Sequence, residues 1–333
     1  MTPVIADYAA ATRFGIFYQD FDDIDLQSKC LTGYDQKYQQ LSCGKFQGQF
    51  TTISLGAEFG IYFEVLNQML DQSGAVPKDH YLVIFLMNRK GHCKINGQTF
   101  LAHHIFYAGP GTSITGVSGP GTYSAVVNIG KEFFEAILKG CYPSFRQGFL
   151  IPRFGILESN QTGAQALRQF FFQAQTILNT NSGKAINSLS IRNFRQTMAE
   201  QIADQLFNSI HLSTEDKSIS ISSRFQIVKS ACEFIQDNQD EEISITRLCQ
   251  QTGVSRRTLE YSFKDCIGQS PSAYLRSIKL NGIRRALLAP ENQGKSIGDI
   301  AAEWGVWHLS RFAQYYRNQF HELPSETRKI MDT

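Results

Sequence analysis

ITRLCQQTGVSRRTLEYSFKDC, residues Ile245–Cys266, returns in altered form as IGDIAAEWGVWHLSRFAQYYRNQF, residues Ile297–Phe320. Leu248 and Gly253 register with Ile300 and Gly305 at a separation of 52. Leu259, Phe263 and Pro271 register with Phe312, Tyr316 and Pro324 at a separation of 53. The second copy therefore carries one extra residue just after its turn glycine. A constant separation on each side of a single insertion marks an internal repeat.

Each copy reads as helix–turn–helix. In the first, Ile245, Leu248 and Cys249 give a short helix its apolar face. Gly253 stands where the chain must take a positive φ to leave that helix, which glycine does at least cost. Val254 fills the angle between the helices, and Ser255 is a good N-cap for the next one. Leu259 and Phe263, four apart, point inward. Ser255, Arg256, Arg257, Thr258, Glu260, Tyr261 and Lys264 are left to face outward. In the second copy Ile297, Ile300 and Ala301 face inward, Gly305 turns, and Phe312 and Tyr316 anchor the second helix. Trp307, His308, Ser310, Arg311 and Gln314 then face outward. A helix showing arginines near its start suits a DNA major groove. Arginine can donate two bonds to guanine O6 and N7, while Lys or Ser can hold phosphates. These twelve residues are the candidate DNA-binding set; the second helix, being less basic, is expected to read fewer bases.

Between the copies, Ser272–Leu288 (SAYLRSIKLNGIRRALL) carries a wide apolar face and a polar one of Arg276, Lys279, Arg284 and Arg285. Some 17 residues at 1.5 Å each make a helix of roughly 25 Å. Such a spacer can set two recognition helices in successive major grooves, about 34 Å apart. Pro271 suits the first turn of that helix, and Ala289-Pro290 ends it. Charge agrees with this reading. The chain as a whole has 32 Lys and Arg against 30 Asp and Glu, which announces no nucleic-acid partner. From Arg247 to Thr333 the count is 13 against 8, so the positive excess sits with the repeats, as a phosphate footprint requires.

The remaining sequence has a different texture. A chain of 333 residues suggests two domains, and 42% hydrophobic with 19% charged residues excludes general disorder. No run of about 18 apolar residues offers a spanning helix, and the first residues lack the basic and apolar regions of a secretory signal. Seven cysteines, widely spaced and without C-x-x-C, fit neither a disulfide scaffold nor a zinc ribbon, so a reducing cytoplasm is expected. Short β-prone runs recur at Thr52–Leu55, Gly60–Val65, Tyr81–Met87, Cys93–Ile95, Thr99–Ala108 and Tyr123–Ile129. Turn signals such as Asn96-Gly97, Gly109-Pro110-Gly111 and Gly119-Pro120-Gly121 divide them. Tyr81–Met87 alternates poorly, as a strand buried on both faces would. Helical periodicity follows in Lys131–Leu138 and Gln165–Leu178, and most clearly in Ile191, Phe194, Met198, Ile202 and Leu206. That stripe fits either a core face or a dimer seam. The polar stretch His211–Ser223 reads as a linker. The expected class is α+β: a cupin-like β-sandwich or barrel with helices, then an all-α region of two helix–turn–helix units joined by a long helix. The expected domains are 1–211 for effector binding and dimerisation, 212–224 as linker and 225–333 for DNA, with helix–turn–helix units at 245–266 and 297–320.

Ile243–Ser325 resembles the DNA-binding domain of the AraC/XylS family of transcription regulators. The resemblance is carried by Gly253–Leu259, Gly268-Gln269-Ser270-Pro271, Ile297 with Asp299-Ile300-Ala301, and Phe312. It departs where the family usually has Gly-Phe and this chain has Gly305-Val306, and where the family usually has Gly and this chain has His321. Within the family, Leu280–Ile283, Arg284-Arg285, Trp304–Leu309 and Gly44–Phe50 resemble regulators of ethanolamine-utilisation operons, which implies a small amine or cobalamin as effector. The family resemblance implies a β-domain that senses a small molecule, a helical segment that forms a homodimer (mapped onto Ile191–Leu206), contact with RNA polymerase, and activation rather than repression.

Two other classes have candidate residues. A metal-dependent cupin-type enzyme would draw on His80, His92, His103 and His104, but the adjacent pair 103–104 would face opposite sides of a strand. A DNA-repair protein fused to this DNA-binding domain would need an activated cysteine, for which only Cys93, in Gly91-His92-Cys93-Lys94, is a candidate. Neither G-x-S-x-G, H-E-x-x-H nor a P-loop occurs. The expectation is a regulator, not an enzyme, with no catalytic residue, no metal and no cofactor. The aromatics of the first half serve as core or as pocket lining, and the effector-binding residues are not specified by the sequence.

Overall fold

The computed structural model describes residues 15–31, 33–88, 93–146, 153–158, 165, 167–172, 176, 188–212, 223–239, 241 and 243–329. The first part is built on strands β1 (Gly15–Phe21), β2 (Lys37–Gln40), β3 (Gly48–Ser54), β4 (Phe59–Leu66), β5 (Leu70–Ala75), β6 (His80–Leu86), β7 (Cys93–Ile95), β8 (Gln98–Phe100), β9 (His104–Ala108), β10 (Ser113–Ser118), β11 (Thr122–Gly130) and β12 (Phe154–Glu158). Helix α1 (Ile24–Ser28) lies between β1 and β2, and α2 (Lys131–Cys141) and α3 (Pro143–Arg146) follow β11. The helical remainder comprises α4 (Ser188–Leu212), α5 (Ser223–Asp237), α6 (Ile245–Thr252), α7 (Arg256–Cys266), α8 (Pro271–Leu287), α9 (Ile297–Glu303), α10 (Leu309–Phe320) and α11 (Pro324–Lys329). The protein is α+β, and among the described residues no helix is long and apolar enough to cross a membrane.

Two antiparallel sheets form the β-region, in the orders β1-β3-β4-β11-β6-β9-β12 and β2-β5-β10-β7-β8. The central strands of the larger sheet, β4, β11 and β6, are buried on both faces, which accounts for the poor alternation of β6. Val83 and Phe85 face one core, with Phe59, Ile61 and Phe63 of β4 and Ala125 and Val127 of β11. Leu82 and Leu86 face the other, with Tyr62 and Leu66. Helices α2 and α4 cover the first face. Met198, Ile202 and Leu206 of α4 are buried there, with Ile191 and Phe194 partly buried against them. The apolar stripe of α4 is thus spent on the chain's own sheet, which corrects the mapping of a dimer seam onto it. The second face meets the smaller sheet and encloses a second core.

The expected strand Thr99–Ala108 is two strands. β8 pairs with β7 in the small sheet, while β9 pairs with β6 and β12 in the large one, so the chain crosses between sheets at Leu101–His103. Asn96 and Gly97, both at positive φ, make the tight turn of the β7–β8 hairpin. Of the segment Gln165–Leu178, residues 165, 167–172 and 176 are described and helical, and Phe171 is buried beside Phe63 and Phe85. Most of the stretch expected as a linker, 213–222, also lies outside them.

The long helix α8 organises the helical part. Ser270 caps it by accepting from the Ala273 N–H, and Pro271 occupies its first turn. Tyr274, Leu275 and Ile278 from its first half join Leu248, Leu259 and Phe263 in one core. Leu280, Ile283 and Leu287 from its second half join Ile300, Phe312, Tyr316 and Phe320 in another. At Gly282, between the halves, a Cβ would fall 2.0 Å from the ring of Trp304, so the indole lies directly on the helix backbone.

A third face of α8 is docked on the β-region by polar contacts. Asn281 is 2% exposed; its amide donates to the Gln40 carbonyl (2.9 Å) and its oxygen accepts from the Gln40 N–H (3.1 Å). Gln319 of α10 also donates to the Gln40 carbonyl, at 2.7 Å. Arg285 binds Asp25 at 2.8 Å and donates to the Tyr38 carbonyl, and Arg284 binds Asp23 at 2.7 Å and Glu322 at 3.3 Å. The Tyr274 hydroxyl donates to Asp71 at 2.7 Å. Arg284 and Arg285, expected on the polar face of this helix, are there partnered by carboxylates.

Candidate nucleic-acid interface

The two short second helices, α7 and α10, present the candidate set. In the first unit Gly253 adopts φ 68°, and its N–H closes α6 by donating to the Cys249 carbonyl. Ser255 then starts α7: its hydroxyl accepts from the Thr258 N–H at 3.2 Å and meets the Thr258 hydroxyl at 2.9 Å. Leu259 and Phe263 are fully buried, which fixes the rotation of α7. Ser255, Arg256, Arg257, Thr258, Glu260, Tyr261 and Lys264 are all exposed.

At about 100° per residue these side chains span an arc of about 200°, with Arg256 and Thr258 at its opposite rims. Arg257, Glu260, Tyr261 and Lys264 lie toward the centre and can face one groove together. Arg256 pairs with Glu260 at 2.9 Å, an exposed i,i+4 bridge of the kind worth only about 0.3–0.5 kcal/mol and so readily exchanged for a phosphate or base. Arg257 lies over the Tyr261 ring, 5.5 Å from its centroid. Lys264 donates to the Gly268 carbonyl at 3.1 Å.

In the second unit a Ser296–Asp299 capping box starts α9, and those hydrogen bonds hold the Asp299 carboxyl below its usual range. Gly305 turns at φ 68°. His308 is the N-cap of α10 and makes no side-chain cap bond. Phe312 and Tyr316 are buried, while Trp307, His308, Ser310, Arg311 and Gln314 are exposed. Trp307, at 70% exposure, is the most exposed large apolar side chain among the described residues. The same outer face carries two residues outside the expected set, Arg317 and Asn318. The separation of 53 that registers the copies pairs Lys264 with Arg317, so the repeat itself held the signal for Arg317. Arg276 of α8 also points outward, its guanidinium 4.5 Å from the centroid of the Tyr315 ring of α10.

The residues considered for other chemistry lie apart from this face. The His104 ring accepts from the Leu101 N–H, His80 pairs with Asp79 at 2.9 Å, and His92 lies outside the described residues. Cys93 is buried, its sulfur 3.6 Å from the Thr122 hydroxyl, and burial pushes its thiol up, the reverse of what an activated nucleophile needs.

Residues 248–330 match the family model described as a helix-turn-helix domain. The same part of the chain is 41% identical over 95 residues to the XylDLEGF operon transcriptional activator of Pseudomonas putida, covering 28% of this chain and 30% of that protein. The C-terminal segment is an AraC-type helix–turn–helix domain. Regulatory protein HrpB of Ralstonia nicotianae is 35% identical to this chain over 115 residues, 34% of this chain and 24% of that one. The matches thus span under a third of these two relatives. A probable AraC family transcriptional regulator from Rhodopseudomonas palustris is similar to 32% of this chain and 97% of its own, at 30% identity and a TM-score of 0.30. The AraC-like transcriptional activator CuxR is similar over 87% of this chain and all of its own, at 14% identity and a TM-score of 0.41.

Proposed function

We propose that this protein is a cytoplasmic, sequence-specific DNA-binding transcription regulator, an activator, whose N-terminal β-region senses a small molecule. The carrying observation is that two helix–turn–helix units share one helix, α8, and each offers an exposed second helix bearing arginine with aromatic side chains at its edge. Arg257, Glu260, Tyr261 and Lys264 from α7, with Trp307, Arg311, Gln314 and Arg317 from α10 or its turn, read or clamp successive grooves of double-stranded DNA. Arg256, Ser255, Thr258, His308 and Ser310 serve the phosphates at the rims. Residues 1–211 form the sensing part, 212–224 the linker and 225–333 the DNA-binding part. The operon activators among the relatives support activation, with RNA polymerase as the partner reached from the bound state. The homodimer of this reading uses a face other than the buried stripe of α4.

Effector response is supported by the docking of α8 on β2 and α1. A molecule that changes the β-region shifts the population of chains whose DNA-binding part is free to settle on its site. The test is binding of the full chain to DNA from upstream of its own gene, measured by fluorescence anisotropy across a salt series. Steep salt dependence with preference over scrambled DNA is expected. Equal affinity for scrambled DNA at physiological salt would refute sequence-specific regulation.

A further inference from the structure

Between the two sheets lies a cavity of about 110 Å³. Its walls are apolar, including Leu31, Phe50, Leu82, Leu86 and Ile114, and Glu64 of β4 reaches it. Glu64 is 7% exposed. Its Oε1 accepts from the Tyr38 hydroxyl at 2.7 Å and from the Gln27 amide at 3.0 Å, whereas Oε2 has only the Gln72 amide, at 3.5 Å. All three donors are neutral. Lys94 also lines the cavity, but its ammonium sits 3.2 Å from Asp265. Among the described residues no cationic side chain pairs with Glu64. Burial holds this carboxyl above its usual range, and a buried carboxylate without a cation is costly. The site lacks one positive charge and one strong donor at Oε2.

We propose that this cavity binds a small primary amine with an apolar body of about four to six carbon atoms, its ammonium seated on the Glu64 carboxylate. An ammonium supplies the missing charge and three donors. The size follows from comparison with an engineered apolar cavity of about 150 Å³ that holds benzene. Carboxylates and phosphates are excluded by charge, and a corrinoid is far too large for this cavity. The ligand class rests on the reading that the β-region senses an effector. Tyr38 joins the two sites: its hydroxyl holds Glu64, and its carbonyl accepts from Arg285 at 2.5 Å.

Calorimetric titration of the full chain with n-pentylamine, 1-pentanol, pentanoate and ethanolamine tests the proposal. Saturable binding of pentylamine is expected, about tenfold or more tighter than pentanol, with pentanoate silent and ethanolamine weaker for want of a hydrocarbon body. Glu64→Gln, which keeps the shape and the acceptor for Tyr38, should weaken pentylamine by about tenfold or more while leaving pentanol unchanged. Pentanol binding as tightly as pentylamine, or pentylamine binding the variant as it binds the parent, would overturn the proposal. The ligand series on the parent decides by itself if the variant does not fold. Anisotropy on upstream DNA then separates the two readings. Pentylamine that binds and changes DNA affinity supports both. Pentylamine that binds with DNA affinity unchanged leaves the site standing and refutes amine sensing as the regulatory input.

Discussion

Gly282→Ala offers a sharp test of how the second helix–turn–helix unit is held. Alanine in a helix interior is ordinarily better than glycine by about 0.5–1 kcal/mol, so an isolated helix would gain. Here the new methyl would lie 2.0, 2.2 and 2.5 Å from three ring atoms of Trp304, closer than any real contact. The indole is rigid and Trp304 caps the end of α9, its backbone N–H donating to the Ala301 carbonyl at 3.2 Å, so the ring must swing off α8 rather than shift slightly. Overpacking of this kind costs about 1–3 kcal/mol, and net of the helix gain the variant should lose up to about 2.5 kcal/mol. The loss should be confined to the core of Leu280, Ile283, Ile300 and Phe312, leaving the first unit intact. Both tryptophans of the chain, Trp304 and Trp307, belong to the second unit, so their emission reports on it alone. Urea titration followed by tryptophan emission should show an earlier transition with red-shifted native emission, and a DNase footprint should shorten to the groove held by α7. A variant as stable as the parent, with unchanged emission, would refute the close packing of Trp304 on α8.

Burial lifts the Asp71 carboxyl from 3.8 to about 6, the Tyr274 hydrogen bond opposing the rise. The folded chain therefore holds this proton more tightly than the unfolded one, and the stability tied to it is complete below about pH 4 and lost as pH rises through 6. Asp71→Asn should flatten that decline by at most about 3 kcal/mol, less because water reaches part of the side chain, and urea midpoints from pH 4.5 to 7.5 that match the parent's would refute it. His321 ends α10 in the left-handed region at φ 54°, where the register of the repeat places Gly268 in the first copy; His321→Gly should raise stability by about 0.5–1 kcal/mol, and a lower melting temperature would contradict the strain. Arg256→Ala should lower the logarithmic salt slope of DNA binding by about 1 without altering sequence preference, and an unchanged slope would remove it from the phosphate contacts.

The helical part was legible because its signals are local. Turn glycines, serine caps and pairs of apolar residues four apart lie within one repeat, and the repeat supplies each of them twice. Arg317 was equally legible from the register, once Lys264 had been placed. In the small sheet β7 and β8 were legible, but β5 and β10 were not. β5 (LDQSGA) and β10 (SITGVS) are polar and glycine-bearing because one face of that sheet is only half covered, so neither shows apolar alternation. The partners of Arg284 and Arg285 were hidden for a different reason. Asp23, Asp25 and Gln39 lie 246 to 261 residues away, and a charged pair on a helix face looks the same in sequence whether it meets water, phosphate or a carboxylate. Glu64 gives no signal in the sequence because a carboxylate within an apolar strand, Phe59–Leu66, reveals its burial only once both faces of that strand are covered.

The position of Asn281 constrains how the two parts of the chain can communicate. It lies on α8 between Ile278, which belongs to the core of the first unit, and Ile283, which belongs to that of the second. Its two hydrogen bonds to Gln40 grip the helix near its middle, and Gln319 adds a second grip from α10. A displacement of β2 therefore acts on the shared helix and not on either hairpin alone. Separating α7 from α10 would require breaking one of two cores built on the same continuous helix, whereas releasing the dock requires loss of polar contacts that water can replace and of the lesser apolar contact that Leu41, Met69 and Val117 make with the first core. The softer coordinate is thus the position of the whole DNA-binding part against the β-region. On this reasoning the β-region governs whether the paired helices are available to a duplex, while the spacing they measure along it is set by α8.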